Sequence, residues 1–454
     1  MSAHIAILDI GKTNKKILVF DQDYQVVYEQ MDELNETIDE DGFPCEDLGL
    51  LISWIMDNVS AILKDPAYAI KAINFSAYGA SFVFIDEAGQ PIPPLYNYLK
   101  PLDQKIKDDF FNTYGGETNM ALATSSPSLG LLNSGLQLFR LKYQLESKYN
   151  KINIALHLPQ FCTYLLTHIP CSEITSIGCH TMLWDYSKMD YHNWVYREQI
   201  DQKYPGLKPA TEVISIEFEN KKLCVGTGLH DSSAALIPYL IRQGDPFILL
   251  STGTWCIALN PFNDTTLTTY ELSQDCLCYI TYEKKPVKAS RLFLGHEYEE
   301  QVHRLSGHFS LDEKYFQGLS FDPSYKLYYD LASDGSHLGS QGLWRSGFEN
   351  RSLSDFNDAS AAYHIMIYDL VRLQKNAINL IREPSIKELY VDGGFSKNEI
   401  FMKMLSLEFP EIKVASAIVS QASALGAALV IHQHWNPGSL PDQPVEFKYY
   451  EKVV

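Results

Sequence analysis

Two stretches of this chain, about 240 residues apart, follow one plan. Residues 5–20 read IAILDIGKTNKKILVF and residues 246–259 read PFILLSTGTWCIAL. Each is an apolar run, a small polar turn with one glycine, and a second apolar run, the pattern of a β-hairpin. Aligning Gly11 with Gly253 sets Asp9 opposite Ser251 and Thr13 opposite Trp255. A repeat at that distance points to one α/β domain used twice. The plain alternative is coincidence, because β-turn-β is common. Length supports the repeat: 454 residues exceed what one compact core holds, so two domains are expected.

Between the hairpins the pattern mixes strands with helices, which favours an α/β class. Tyr24–Gln30, Ile70–Phe75 and Ser81–Ile85 read as strands; Leu48–Leu63 and Ser134–Tyr149 read as helices. Residues 187–209, rich in Tyr, Trp and Pro, read as loop and insertion. Beyond the second hairpin, Phe356–Arg382 is a long helix ending before Pro384, and Ile386–Val391 is a strand. The strand runs into Asp392-Gly393-Gly394 and a helix over Glu399–Phe409. A small-residue helix spans Ser420–His432, and the tail after Asn436-Pro437-Gly438 reads as peripheral.

The formal charge of −19 argues against nucleic acid or an anionic membrane, since both reward a basic surface. No run reaches about 18 apolar residues, so no membrane span is expected. The start, MSAHIAILDIG, has no basic n-region, so no signal peptide is expected either. Eight scattered cysteines without a CxxC pair fit reduced thiols in a cytoplasmic protein better than a disulfide scaffold or a zinc motif.

The residues with chemistry lie on the turns. Asp9 ends a buried strand beside Gly11, where a carboxylate can hold a hydrated divalent cation. Backbone N–H groups of Gly11, Lys12, Thr13 and Asn14 can meet phosphate oxygens, with Lys12 or Lys15 adding charge. An ordinary hairpin whose Asp bonds its own turn is the alternative. His230–Asp231 opens a helix after Gly228, about twenty residues before the Thr252-Gly253-Thr254 turn. Asp231 suits a general base that orients a substrate hydroxyl for in-line attack on a γ-phosphoryl group. It also suits a helix N-cap, and the two roles are compatible. His230 alone reads more simply as a hydrogen-bonded structural residue. Gly393-Gly394 allows close approach of a ligand to backbone, though many strand-to-helix turns contain such a pair. Neither a P-loop nor a GxGxxG after a strand is present.

Taken in order, five segments resemble the FGGY family of carbohydrate kinases, within the actin/Hsp70/hexokinase ATPase superfamily. They are Asp9-Ile10-Gly11-Lys12-Thr13, Gly228-x-His230-Asp231 with Ala234-Ala235, Ser251–Trp255, Gly393-Gly394-x-Ser396-Lys397-Asn398, and Ala424-Leu425-Gly426-Ala427-Ala428. The stretch Ser172–Ser176 through Thr181–Asp185 is also similar to a family segment. The resemblance implies two ribonuclease H-like domains flanking a deep cleft. Residues 1–240 would hold the sugar and 241–454 would hold ATP. Asp231 then matches the catalytic base and Asp9 the residue near magnesium. The turns Gly11–Asn14 and Thr252–Thr254 match the phosphate hairpins, and Gly393, Gly394 and Asn398 match the nucleotide site.

Rhamnulokinases look closest within the family. Tyr78-Gly79-Ala80-Ser81-Phe82-Val83 matches their Trp-Gly-x-Asp-Phe-Val segment, and Tyr96-Asn97-Tyr98 matches Trp-Asn-Asp. The chain departs from that pattern at Ser81 and Tyr98, where Asp is usual, at Lys100, where Arg is common, and at Lys12, where a small residue is usual. Tyr78, Gly79, Asn97, His230 and His296 become sugar contacts in this light. L-Rhamnulose or L-fuculose is the expected acceptor, with a pentulose such as xylulose or ribulose as runner-up. The rivals are a non-catalytic sugar-sensing ATPase and a pseudokinase on the same scaffold. The resemblance allows a homodimer, but no residue pattern marks a dimer surface.

Overall fold

A computed structural model describes residues 2–242, 244–325, 335–339, 343–418 and 421–450. Its first sheet is built on the hairpin of β1 (Ala3–Ile10) and β2 (Asn14–Phe20), closed by Gly11 N donating to Asn14 O at 2.9 Å. β3 (Val26–Glu33) adds antiparallel to β2. Helix α1 (Leu48–Lys64) follows, capped by Asp47, and buries Leu51, Trp54, Ile55, Val59 and Ile62, the face its spacing predicts. β4 (Ala69–Ala77) then returns parallel to β1. Helix α2 (Leu158–Thr167), β5 (Val213–Phe218), β6 (Lys221–Gly226) and the two-residue β7 (Leu229–His230) complete this sheet, whose path is β5-β6-β4-β1-β2-β3 with β7 beside β4. Helix α3 (Asp231–Ile241) leads out of it.

The second sheet repeats that plan. Hairpin β8 (Phe247–Thr252) and β9 (Cys256–Asn260) takes its turn at Gly253, whose N donates to Trp255 O. β10 (Cys276–Ile280) and β11 (Pro286–Leu292) extend the antiparallel side. Helices α4 (Leu294–Phe309) and α5 (Ala359–Ile381) precede β12 (Glu388–Gly393), which pairs parallel with β8. Helix α6 (Glu399–Glu408) leads to β13 (Lys413–Ile418), parallel to β12. The order β11-β9-β8-β12-β13 mirrors β3-β2-β1-β4-β6. The two similar hairpins are thus the central strands of two similar sheets.

Helix α7 (Ala422–Leu429) comes late in the chain but packs on the first sheet. Its Ala424, Leu425, Ala427 and Ala428 share one core with Ile5, Ile7, Leu18 and Phe20. α3 lies between the sheets: Ala234 and Ile237 face the first, Leu236 and Tyr239 the second. Small side chains let α3 and α7 touch, and a Cβ on Gly426 would fall 1.8 Å from Ala234 O.

Four expectations change. The helix read over Ser134–Tyr149 is two helices, Gly135–Gln144 and Glu146–Tyr149, broken where Leu145 leaves helical geometry at φ −128°, ψ 51°. The 187–209 region is not merely an inserted loop, because Trp194 on a short helix is fully buried among Phe110, Phe139 and Leu183. The tail is not peripheral: β14 (Glu446–Tyr450) pairs antiparallel with β13. The last helix begins at Ala422 and stops at Leu429; Ser420 lies outside the described residues. Among the described residues no helix is long and apolar enough to cross a membrane.

Candidate functional site

The strand register places the key carboxylates. Asp9 on β1 stands opposite Ser76 on β4, and Ser76 stands opposite Leu229 on β7. In the next row Ile10, Ala77 and His230 line up. Adjacent strands lie about 4.8 Å apart, so Asp9 and the start of α3 share the carboxyl-terminal edge of the parallel strands β1, β4 and β7. That edge is where open α/β sheets bind ligands.

Asp231 is the first residue of α3 and is not its cap. His230 holds the cap position and makes no side-chain capping bond. Asp231 Oδ1 accepts from the adjacent Ser232 N at 2.6 Å and Ser232 Oγ at 3.2 Å, and His230 Nε2 lies 3.2 Å away. Burial pushes the Asp231 carboxyl up to about 6. Burial also lifts Asp9 to about 6, with the nearby Asp231 charge adding, against a hydrogen bond from Ser423 Oγ to Asp9 Oδ2 at 2.8 Å. Ser423 belongs to α7, from the other end of the chain, and sequence reading missed it. Next to it, Lys16 Nζ donates to Gln421 Oε1 at 2.7 Å.

On the sugar side, Gly79 lies against His230: a Cβ on Gly79 would be 2.8 Å from the imidazole. The rings of Tyr78 and Tyr98 are 6.0 Å apart, and the charge of Asp231 helps raise the Tyr98 hydroxyl, after burial. His230 is buried, held neutral by desolvation that lowers it to about 3, and stacked at 5.7 Å on Tyr279 of β10. Its backbone N donates to Thr175 Oγ1 at 3.1 Å, and Thr175 in turn hydrogen-bonds Glu173. Glu173 and Thr175 belong to the Ser172–Ser176 segment noted in the sequence, without a role there; Tyr279 escaped the sequence reading because its contact with His230 crosses from one sheet to the other.

Several expected residues are placed elsewhere. Asn97 spends its amide on Pro44 O and Leu99 N, fastening a turn rather than facing a ligand. Lys100 is paired with Asp39 and Asp41. Lys12 pairs with Glu36 at 2.8 Å, and Lys15, almost fully buried, pairs with Glu46 at 3.0 Å. Neither lysine is a free cation for phosphate. His296 is half-exposed on α4, stacked at 4.6 Å on Phe293, which packs on Trp255, so it stands beside the second hairpin. Thr252 is buried, with its hydroxyl accepting from Phe395 N at 3.0 Å and donating to Asp392 O, so it ties two turns together.

The remaining turn residues frame open space. A cavity of about 740 Å³ on the second sheet is lined by Gly253, Thr254, Gly394 and Asn398, with Tyr298, Phe316 and Tyr363 as apolar walls. That volume suits a nucleotide-sized ligand. Gly394 exposes bare backbone to it, since a Cβ there meets nothing within 4 Å. Gly393 serves packing: its φ is +77° and a Cβ would strike Thr252 O at 1.8 Å. Asn398 caps α6 through Phe401 N and donates to Tyr363 OH at 2.9 Å. At the first hairpin, Gly11 and exposed Thr13 flank Asn14, whose Oδ1 is buried without a hydrogen-bond partner.

Residues 4–237 match the N-terminal domain of the FGGY family of carbohydrate kinases, more than half of the chain. The chain belongs to that family. It is a carbohydrate kinase of two actin-like ATPase domains. Residues 244–323 match the carbohydrate kinase FGGY C-terminal domain. Among solved structures, this FGGY kinase is similar to a carbohydrate kinase from Novosphingobium aromaticivorans, at 22% identity and TM-score 0.81, covering 100% of this chain and 95% of that one. A ligand-bound xylulose kinase from Lactobacillus acidophilus is 14% identical at TM-score 0.75, with 95% and 89% covered. A Plasmodium falciparum glycerol kinase with ADP is 15% identical at TM-score 0.72, with 95% and 90% covered. At these identities the likeness speaks for the fold.

Proposed function

We propose that this kinase transfers the γ-phosphoryl group of ATP to the primary hydroxyl of a ketose, with Asp231 as general base. The observation that carries this reading is the position of Asp231, on the cleft edge of the first sheet with its bonds from Ser232 gathered on one oxygen. The other oxygen is left to accept a hydroxyl proton. A carboxyl near 6 is mostly ionised at neutral pH yet basic enough to take that proton. The 740 Å³ cavity takes the nucleotide, with Gly394 and Asn398 beside the adenosine and Gly253 and Thr254 toward the phosphates. The Gly11–Asn14 turn receives the transferring end.

Magnesium fits this edge. Asp9 is an oxygen donor next to a second carboxylate, the donor set a hard cation requires. When bound there, the ion would offset phosphate charge. The chain's own contribution is positioning and water exclusion, which supply most of the catalysis in phosphoryl transfer. We place the division between sugar-side and nucleotide-side domains at residues 240 and 241, with α7 crossing back to the first.

For the acceptor we favour a 6-deoxy-ketohexose, L-rhamnulose or L-fuculose. The paired rings of Tyr78 and Tyr98 offer an apolar wall on the sugar side of Asp231, for the methyl end of a sugar whose primary hydroxyl, at the other end, meets the base. A coupled ADP-release screen over 6-deoxy-ketohexoses, pentuloses, gluconate and glycerol tests it. The deoxy sugars should give the highest kcat/KM. A higher value for xylulose or ribulose overturns the choice of sugar, and no response to any acceptor overturns the ketose reading.

A further inference from the structure

Beside Asp231 lies a side-chain cluster, two of whose members, Cys179 and His180, have no part in the phosphoryl transfer proposed above. Cys179, His180 and His230 each bring one ligand atom within 4.8 Å of the other two, and all three are buried. Cys179 and His180 follow the short helix Ile174–Ile177, whereas His230 arrives on β7. No spacing motif announces the set, because His230 lies about fifty residues from the adjacent Cys179 and His180.

Four features suit the cluster to a metal ion. Gly79 makes room: a Cβ there would lie 2.8 Å from His230 Nε2 and 3.2 Å from Cys179 Sγ, so glycine lets ring and thiol share one spot. His180 Nδ1 is 3.2 Å from the Leu132 carbonyl, which can only accept. The proton is therefore on Nδ1 and the lone pair on Nε2, the arrangement typical of a metal-binding imidazole. His180 also adopts φ +30°, a strained backbone for a non-glycine residue. Finally, the 3.2 Å gap between His230 Nε2 and Asp231 Oδ1 has room for one proton or one cation.

One thiolate with two imidazoles selects zinc-class ions, while magnesium demands oxygen ligands. We infer that Cys179, His180 and His230 bind one zinc-class transition-metal ion, with its fourth position open toward the Asp231 carboxylate beside His230, and that occupancy turns the kinase off. Binding exchanges the Cys179 thiol proton, released to solvent, for a sulfur–metal bond. It also sets a cation's charge beside Asp231 on its Oδ1 side, lowering the basicity of the carboxylate whose other oxygen would accept the sugar proton. The ion enters from the cleft, past the part-exposed Asp231 side chain. The inhibitory half rests on the proposed role of Asp231 as base; the binding half does not.

The full-length protein is titrated with Co²⁺, following the thiolate-to-cobalt charge-transfer band, and then with Zn²⁺ against a competing chelator. We expect one ion per chain. The band should vanish in Cys179→Ala, which has no thiolate, and should build up only at about tenfold or more higher Co²⁺ in His180→Gln, each variant checked by circular dichroism and melting temperature. In ADP release, Zn²⁺ should inhibit the parent reversibly, and both variants should tolerate at least about tenfold more while turning over normally without zinc. An absent band, or one unchanged in both variants, overturns the site. Full turnover with the site saturated overturns the switch alone. An enzyme that answers to no acceptor leaves the cobalt result readable, so that failure is separate.

Discussion

Asp231 carries two demands that oppose each other. As a base it must be ionised, yet burial disfavours the charge and lifts its carboxyl to about 6. The folded state therefore binds a proton more readily than the unfolded chain. Stability contributed by the neutral form is lost as pH rises from the ordinary carboxylate range through about 6. Asp231→Asn should remove that penalty, so the variant should melt at a higher temperature than the parent at pH 8, with the gap closing by pH 4. The same change should lower kcat by about 10²–10⁴-fold while nucleotide binding, read by calorimetry, persists. Near-parental turnover would reduce Asp231 to a first-turn helix residue. The pH profile of kcat/KM should fall on the acid side with a midpoint near 6, since both Asp231 and Asp9 must lose a proton there. A limb centred near 4 would remove both from the ionisations that govern rate.

At the scale of elements, the adjacent glycines after β12 do different work. Gly393 holds φ +77° against Thr252 O, whereas Gly394 has an ordinary φ of −64° and faces open space. Gly393→Ala should therefore destabilise the protein by about 1–3 kcal/mol or more through overpacking and strain, seen as a lower melting temperature. Gly394→Val should leave melting nearly unchanged and raise the KM for ATP by about tenfold, near 1.4 kcal/mol. The reverse ranking would place the nucleotide elsewhere. From sequence, Gly393-Gly394 is only a flexible turn; which glycine packs and which faces the ligand depends on β8 lying alongside. The helix patterns behaved similarly. α1 and α5 were legible from their apolar spacing, although α5 begins at Ala359, after its Asp358 cap, and not at Phe356. Residues 187–209 were not, because one buried Trp194 holds short elements that have no period of their own.

Across the whole molecule, the joint between the halves is the pair α3 and α7. α3 delivers Asp231 and α7 delivers Ser423 to Asp9, so one helix contact places both carboxylates. Gly426→Ala would drive a Cβ into Ala234 O, forcing the pair apart. We expect a fall of several degrees in melting temperature, from about 1–3 kcal/mol, and a loss of kcat that exceeds any change in ATP affinity. If only ATP affinity changes, the joint does not position the base. The repeated hairpins, the two-domain α/β plan and the carboxylate turns at Asp9 and Asp231 were written in the sequence, because strand alternation and turn chemistry are local. What each turn faces was not. Lys12 and Lys15 read as phosphate cations until their partners Glu36 and Glu46 come close. His296 read as a sugar contact until Phe293 and Trp255 hold it beside the second hairpin. Cys179 and His180 read as scattered residues until β7 brings His230 against them. Sequence determined which groups exist and on which edges; only the packing of two sheets across α3 and α7 decided which of those groups meet, since charge pairing and metal geometry depend on distances that chain position does not encode.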